Sequence, residues 1–239
     1  TSRLVGSEMC IRDRSHLVPN LNYAASDSRA RYFQIRGIGE RSGYQGTPNS
    51  SVGFLIDDID YSGQGGIATL FDVDQVEVFR GPQGSRSGAN ALAGLIYIKT
   101  KDPTEKFEGT SELTLGDYGT QNIGIAFGGP MQNKKLKYRL VLRTDYADGF
   151  RKNIYLNKSD TSKKDELTLR YKLNWELNET TNLDFLVSKV DMDDPADIWT
   201  IDGSLNTLSD RPGMDSQNTN SYGIKTVSYT HLTLPTIDR

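Results

Sequence analysis

The feature that most constrains this 239-residue chain is a change of grammar after Pro103. From Leu136 onward apolar side chains occupy every second position, as Leu136, Tyr138, Leu140, Leu142 and Tyr146. Lys137, Arg139, Arg143 and Asp145 stand between them. The next run repeats the pattern, with Leu167, Leu169, Tyr171, Leu173, Trp175 and Leu177 set against Thr168, Arg170, Lys172, Asn174 and Glu176. Ile123, Ile125 and Phe127 alternate with Asn122, Gly124, Ala126 and Gly128, and Phe107 to Leu115 and Leu183 to Val190 follow more loosely. A strand turns successive side chains to opposite faces, so each run has one apolar wall and one polar wall. The pattern predicts about five strands of about ten residues, a length that crosses a bilayer at a tilt.

An antiparallel sandwich alternates in the same way, so spacing alone leaves two architectures open. Three details favour the membrane. The polar face carries dense charges of both signs, as a wet lumen permits. Tyr138 and Trp175 fall at corresponding ends of neighbouring strands, where an aromatic girdle would sit. The connections are unequal, about four residues near Asn178 to Thr181 against nearly twenty between Ala147 and Lys164, the alternation of short turns and long outer loops. The tight Gly116-Asp-Tyr-Gly119 link runs against this, since its position predicts an outer loop.

Composition removes other classes. No stretch approaches the roughly 18 apolar residues of a membrane-spanning helix. The net charge is −3 with basic residues spread along the chain, so there is no basic face and nucleic acid is not an expected partner. Cys10 is the single cysteine and His16 and His231 the two histidines, which leaves neither an internal disulfide nor a Cys/His metal site. No signal peptide opens at Thr1, which does not read as a native start. Val5 to Arg14 and Val227 to Thr236 each resemble a peptide produced when sequencing-adapter DNA is translated. Residues 1–15 and 227–239 are therefore expected to be non-native ends.

Residues 16–104 read as a small mixed α/β domain with long loops, and 105–226 as the alternating strands. Val52–Ile56, Val73–Phe79 and Ala91–Thr100 are its expected strands, separated by glycine-rich turns at 63–66 and 84–88. Gly81-Pro-Gln-Gly-Ser-Arg-Ser-Gly88 lacks the Gly-Lys-Ser/Thr ending of a phosphate loop, and Gly37-Ile-Gly39 lacks the third glycine of a dinucleotide fingerprint. Asp57-Asp-Ile-Asp60 and Asp191-Met-Asp-Asp194 lack the spacing of a calcium loop and read as acidic strand ends facing turns.

The first half also carries a resemblance. Phe33-Gln-Ile-Arg-Gly-Ile-Gly39, Val52-Gly-Phe-Leu-Ile-Asp-Asp-Ile-Asp60, Val76-Glu-Val-Phe-Arg-Gly-Pro-Gln-Gly84 and Gly88-Ala-Asn-Ala-Leu-Ala-Gly94 come in that order, followed by Ile96-Tyr-Ile-Lys-Thr-Lys-Asp-Pro103. They resemble the plug of TonB-dependent outer-membrane transporters, with Gly37, Glu77, Gly81, Pro82 and Gly94 as motif positions. Ala93-Gly94 departs mildly from the Gly-Gly common there. The switch after Pro103 is where that family passes from plug to barrel.

The resemblance implies an antiparallel transmembrane β-barrel of about 22 strands, of which the chain holds the plug and the first few. It implies import of a scarce nutrient, most often a ferric siderophore, across the outer membrane of a Gram-negative bacterium. Cobalamin or carbohydrate are open alternatives. TonB, an inner-membrane energy transducer, would be the partner, through a contact segment absent here, and outer-membrane lipid would surround the strands. No bond is made or broken, so neither enzyme activity nor a cofactor is implied. Arg36 and Arg80, each just before a glycine, resemble a latch that pairs with carboxylates on the barrel wall. Tyr44, Gln45, Tyr61 and Gln64 would face ligand at the plug apex. A soluble β-sandwich binding module or adhesin is the alternative from another class. A glycosidase using paired carboxylates is a further one, although no spacing fixes such a pair.

Overall fold

The computed structural model describes residues 18–25, 30–41, 50–64, 69–84, 90–131, 134–197, 200 and 202–228. The first part of the chain forms β1 (Leu21–Ala25), β2 (Ala30–Ile35), β3 (Val52–Ile56), β4 (Ile59–Asp60), β5 (Val73–Arg80) and β6 (Gly94–Thr100). β1 and β2 make an antiparallel hairpin, and the others a four-stranded sheet in the order β4-β3-β6-β5. β3 and β6 run parallel at its centre, which explains their continuous apolar sequences, since a central strand buried on both faces has no reason to alternate. Phe33 stacks on Phe54 with ring centroids 5.5 Å apart, and Ile35, Val52, Ile96 and Ile98 complete the core around them.

The expected mixed α/β character resolves differently. Among the described residues this domain is almost wholly sheet, and Gly84 alone has helical backbone.

The second part forms β7 (Glu108–Leu115), β8 (Gln121–Pro130), β9 (Leu136–Ala147), β10 (Lys152–Asn153), β11 (Lys164–Asn178), β12 (Thr181–Ala196), β13 (Asn206–Thr207) and β14 (Gly213–Ser228). Six of these make one antiparallel sheet in the order β14-β12-β11-β9-β8-β7. The five expected strands are all present, and β14 is a sixth. Its first half, Ser216-Gln-Asn-Thr-Asn-Ser221, is polar on both faces, so no alternation marks it before Tyr222. The sheet does not close on itself, and β7 and β14 are its edges.

Its two faces are inverted relative to a water-soluble protein. Val141, Arg139 and Arg170 are 1%, 3% and 6% exposed, whereas Leu142, Leu169 and Ile125 on the opposite face are 38%, 38% and 42% exposed. The charged face lies against the first domain and the apolar face is bare. A soluble sandwich would bury the leucines and wet the arginines, because burying unpaired charge is far costlier than burying methylenes. The sheet is therefore a wall, polar within and greasy without, and the first domain is a plug set against it.

The greasy band drifts across the wall. On β8 it comprises Ile123, Ile125 and Phe127, opposite Thr144, Leu142 and Leu140 of β9. On β12 it comprises Leu183, Phe185 and Val187, opposite Trp175, Leu173 and Tyr171 of β11, which face Leu136, Tyr138 and Leu140. Its upper limit thus falls by about four residues over about three strand spacings, a strand inclination of roughly 40° to the band's axis. Strands that cross a bilayer in a closed barrel lean by that amount.

The plug–wall interface as candidate functional site

Plug and wall meet mainly through charge, and the contact is densest at Phe71-Asp72. This dipeptide ends the loop before β5, with Asp72 in the left-handed region at φ 58°. The turn drives the Asp72 carboxylate, 1% exposed, onto Arg139 of β9. Arg139 Nε donates to Oδ2 at 2.7 Å and Nη2 to Oδ1, a two-pronged pairing that fixes orientation as well as charge. From β11, Arg170 Nη2 donates to the carbonyls of Phe71 and Asp72 at 3.3 and 3.4 Å. The Phe71 ring lies 5.5 Å from the Arg143 guanidinium and packs with Ala126 and Val141. Its other neighbour is Gly124 of β8, where an added Cβ would come within 2.8 Å of the ring. Arg143 is itself neutralised by Asp145 and Glu112.

Two further contacts lie along the wall. Lys172 of β11 donates to Asp57 Oδ1 at 3.0 Å, to the Thr100 carbonyl at 3.1 Å and to Asp102 Oδ1 at 3.1 Å. Asp57 also accepts from the Thr100 backbone N–H and hydroxyl, tying the β3–β4 turn to the end of β6. On β14, Lys225 reaches Asp58 at 3.0 Å with both side chains more than half exposed. Arg31 of the plug pairs with Asp215 of β14. Between them Val190 and Met192 of β12 join the plug core. Beside Lys225 a cavity of about 940 Å³ opens between plug and wall, lined by Asp58, Tyr97, Lys99, Asp184 and Tyr222 among others. Removing one partner of a buried pair costs about 3–5 kcal/mol, and an exposed pair contributes about 0–1. Along β14 the attachment is therefore uneven, with Asp215 buried in its pair with Arg31 and Lys225–Asp58 exposed.

The expected site residues are distributed unevenly over this interface. Arg36 and Arg80 both end plug strands and are exposed; among the described residues neither forms an ion pair. Gly37 has φ 81° and Gly81 φ 148°, and Pro82 is exposed beside them. Gly94 has φ 159°, and a Cβ there would meet the Phe79 carbonyl at 2.3 Å, so the motif glycine is where β6 crosses β5 backbone to backbone. Glu77 is half-buried and accepts from Gln75 at 2.7 Å. Tyr61 is not at an open apex: it is 5% exposed within the plug core, its hydroxyl against Ser221 and Ser188 of the wall. Gln64 is exposed and accepts from Gln217 of β14 at 3.2 Å. Tyr44 and Gln45 lie outside the described residues, as do Cys10, His16 and His231.

The wall cations were visible in sequence only as a wet lumen. Their role as holders of the plug shows in their placement opposite Asp57, Asp72 and Asp102. Asp57, read from sequence as a turn-facing strand end, is a buried junction. Spacing carried no signal for either, because the partners are separated by 67 to 115 residues.

Beyond the greasy band a second polar cluster joins two outer loops. β10 and β13 pair in parallel, and Asn153 Nδ2 donates to Asp197 Oδ2 at 2.8 Å and to the Ser209 carbonyl at 2.9 Å. Thr207 also donates to Asp197. Burial alone would raise the Asp197 pKa, but the hydrogen bonds from Thr207 and Asn153 outweigh it and hold the carboxyl below its ordinary range.

Residues 11–95 match the family described as TonB-dependent Receptor Plug Domain. The chain is 25% identical over 61% of its length to the vitamin B12 transporter BtuB of Vibrio vulnificus, covering 26% of that protein. It is 28% identical over 56% of its length to the pesticin receptor of Yersinia enterocolitica, covering 20% of it. The chain thus spans about a quarter or less of these relatives. Among solved structures, the ferric yersiniabactin uptake receptor FyuA of Yersinia pestis superposes with a TM-score of 0.79 at 22% identity, over 92% of this chain and 35% of that one. That likeness shows the fold: a plug with the strands that follow it. Residues 11–95 are thus a TonB-dependent receptor plug domain, and the strands after it take the fold that follows the plug in such an outer-membrane receptor.

Proposed function

We propose that the whole protein imports a scarce nutrient, a ferric siderophore by preference, across the outer membrane, with TonB supplying the work. The observation that carries this is the inverted wall: a plug held in a polar lumen by ion pairs can be displaced and reseated without exposing a large apolar core. Covalent chemistry has no part in that cycle, so the reading involves no enzyme activity. The iron-siderophore preference draws on relatives named for ferripyoverdine and ferric yersiniabactin, and the vitamin B12 transporter keeps cobalamin as the second candidate.

Arg36 and Arg80 complete the plug's attachment in this reading. Both are exposed at strand ends, and carboxylates on wall strands outside this chain are their partners. Gln64 is the apex residue placed to meet ligand, together with Tyr44 and Gln45, while Tyr61 acts from beneath as packing.

The test is uptake of radioiron by cells whose own siderophore receptors are deleted and which express the full-length parent protein. Saturable uptake from one ferric siderophore, lost when TonB is deleted, is the expected result. Uptake indifferent to TonB, or none from ferric siderophores and cobalamin alike, would overturn the proposal.

A further inference from the structure

We infer that Phe71-Asp72 is a fixed peg, which stays seated in the wall while the plug opens along the Asp58–Lys225 seam. The inference rests on the import reading and assigns the place where that passage forms. The contacts at the peg are several and buried, with Nη1 of Arg139 the one buried guanidinium nitrogen among the described residues left without a partner. The Asp72 carboxylate meets two N–H groups of Arg139, its carbonyl and that of Phe71 are held by Arg170, and the Phe71 ring fills the space left by the missing Gly124 side chain. Withdrawing the peg would break the two-pronged Arg139 pair, both Arg170 contacts and the Phe71 packing together, and charge-assisted pairs of that geometry are the strong ones.

The seam has none of these properties. Asp58 and Lys225 are 53% and 63% exposed, so water replaces each partner as the pair parts. The cavity beside them already separates plug from wall. A Cβ added at Gly223 of β14 would find ordinary contacts at 3.5 Å or more, with Ile59 of the plug and Leu186 of β12. A force on the plug is therefore relieved first at the Lys225 end of β14, bounded by Lys172–Asp57 on β11 and by Arg31–Asp215 farther along β14.

Two double-cysteine variants of the full-length receptor test this: Phe71→Cys with Gly124→Cys at the peg, and Asp58→Cys with Lys225→Cys at the seam. A short bis-methanethiosulfonate bridges each pair, because the side chains are spaced for a linker rather than a direct disulfide, and a thiol reductant releases it. Bridging the peg should leave radioiron uptake within about twofold of the reduced form, whereas bridging the seam should lower it about tenfold or more, reversibly. Reversible loss of uptake on bridging the peg, or full uptake with the seam bridged, overturns the inference. Hydrogen exchange on the unbridged parent protein gives a readout independent of transport. Residues 69–73 should exchange more slowly than 57–64; the reverse order overturns the inference even if no substrate is imported, an outcome that by itself counts only against the import reading.

Discussion

Gly124 shows what a single missing side chain can position. Its neighbours on β8 alternate as a wall strand should, and from sequence it is one more small residue on the polar face. In the structure it is the floor under Phe71. Gly124→Ala would push the ring toward Arg143 and is expected to destabilise the plug by about 1–3 kcal/mol. Adding Phe71→Leu should recover part of that loss, read as the thermal midpoint of the full-length protein in detergent. Asp197 makes a second residue-scale case. Its carboxyl lies below the usual range, so the stability it contributes is present above the ordinary carboxylate pKa and disappears as pH falls through its own lower value. Hydrogen-exchange protection of 152–154 and 205–208, corrected for intrinsic rates, should therefore hold at neutral pH and fall in acid. Asp197→Asn should cost about 1–3 kcal/mol of that protection at neutral pH and flatten the acid response.

Strands were the most legible level. Period two placed five of the wall strands because one face of each carries an apolar run, strict in β8, β9 and β11 and looser in β7 and β12. β14 escaped because its outer half stands where neither face meets lipid, and there Asn, Ser and Thr serve both sides. In the plug β3, β5 and β6 were legible, β3 and β6 through nearly continuous apolar runs, whereas β1, β2 and β4 were not read as strands. The partners of Asp72 and Asp57 were not legible, because charge pairing across long separations leaves no local periodicity. The wall makes a firm expectation: Leu169→Arg, in the middle of the greasy band, should cost about 2–4 kcal/mol of folding into lipid vesicles. The same change at Thr219, on the lumen side of β14, should cost far less. Depth-sensitive spin labels at Leu140 and Leu169 in the parent protein should report acyl chains.

The whole molecule combines a plug seated largely by charge with a six-stranded wall that does not close on itself. β7 and β14 leave unpaired backbone along two full strand edges, and the bare leucines add an apolar face (a surface that invites association in water). The isolated chain is therefore expected to require detergent. A monodisperse aqueous monomer with a cooperative melt would contradict the architecture. The lean of the strands carries one more consequence. On β8 the greasy band runs almost to the Gly116–Thr120 turn, but on β12 it stops at Val187 and the strand continues to Ala196, roughly 20 Å higher along the membrane normal. Along these six strands the outer rim is therefore a low lip at the β7–β8 hairpin and a parapet at β12–β14.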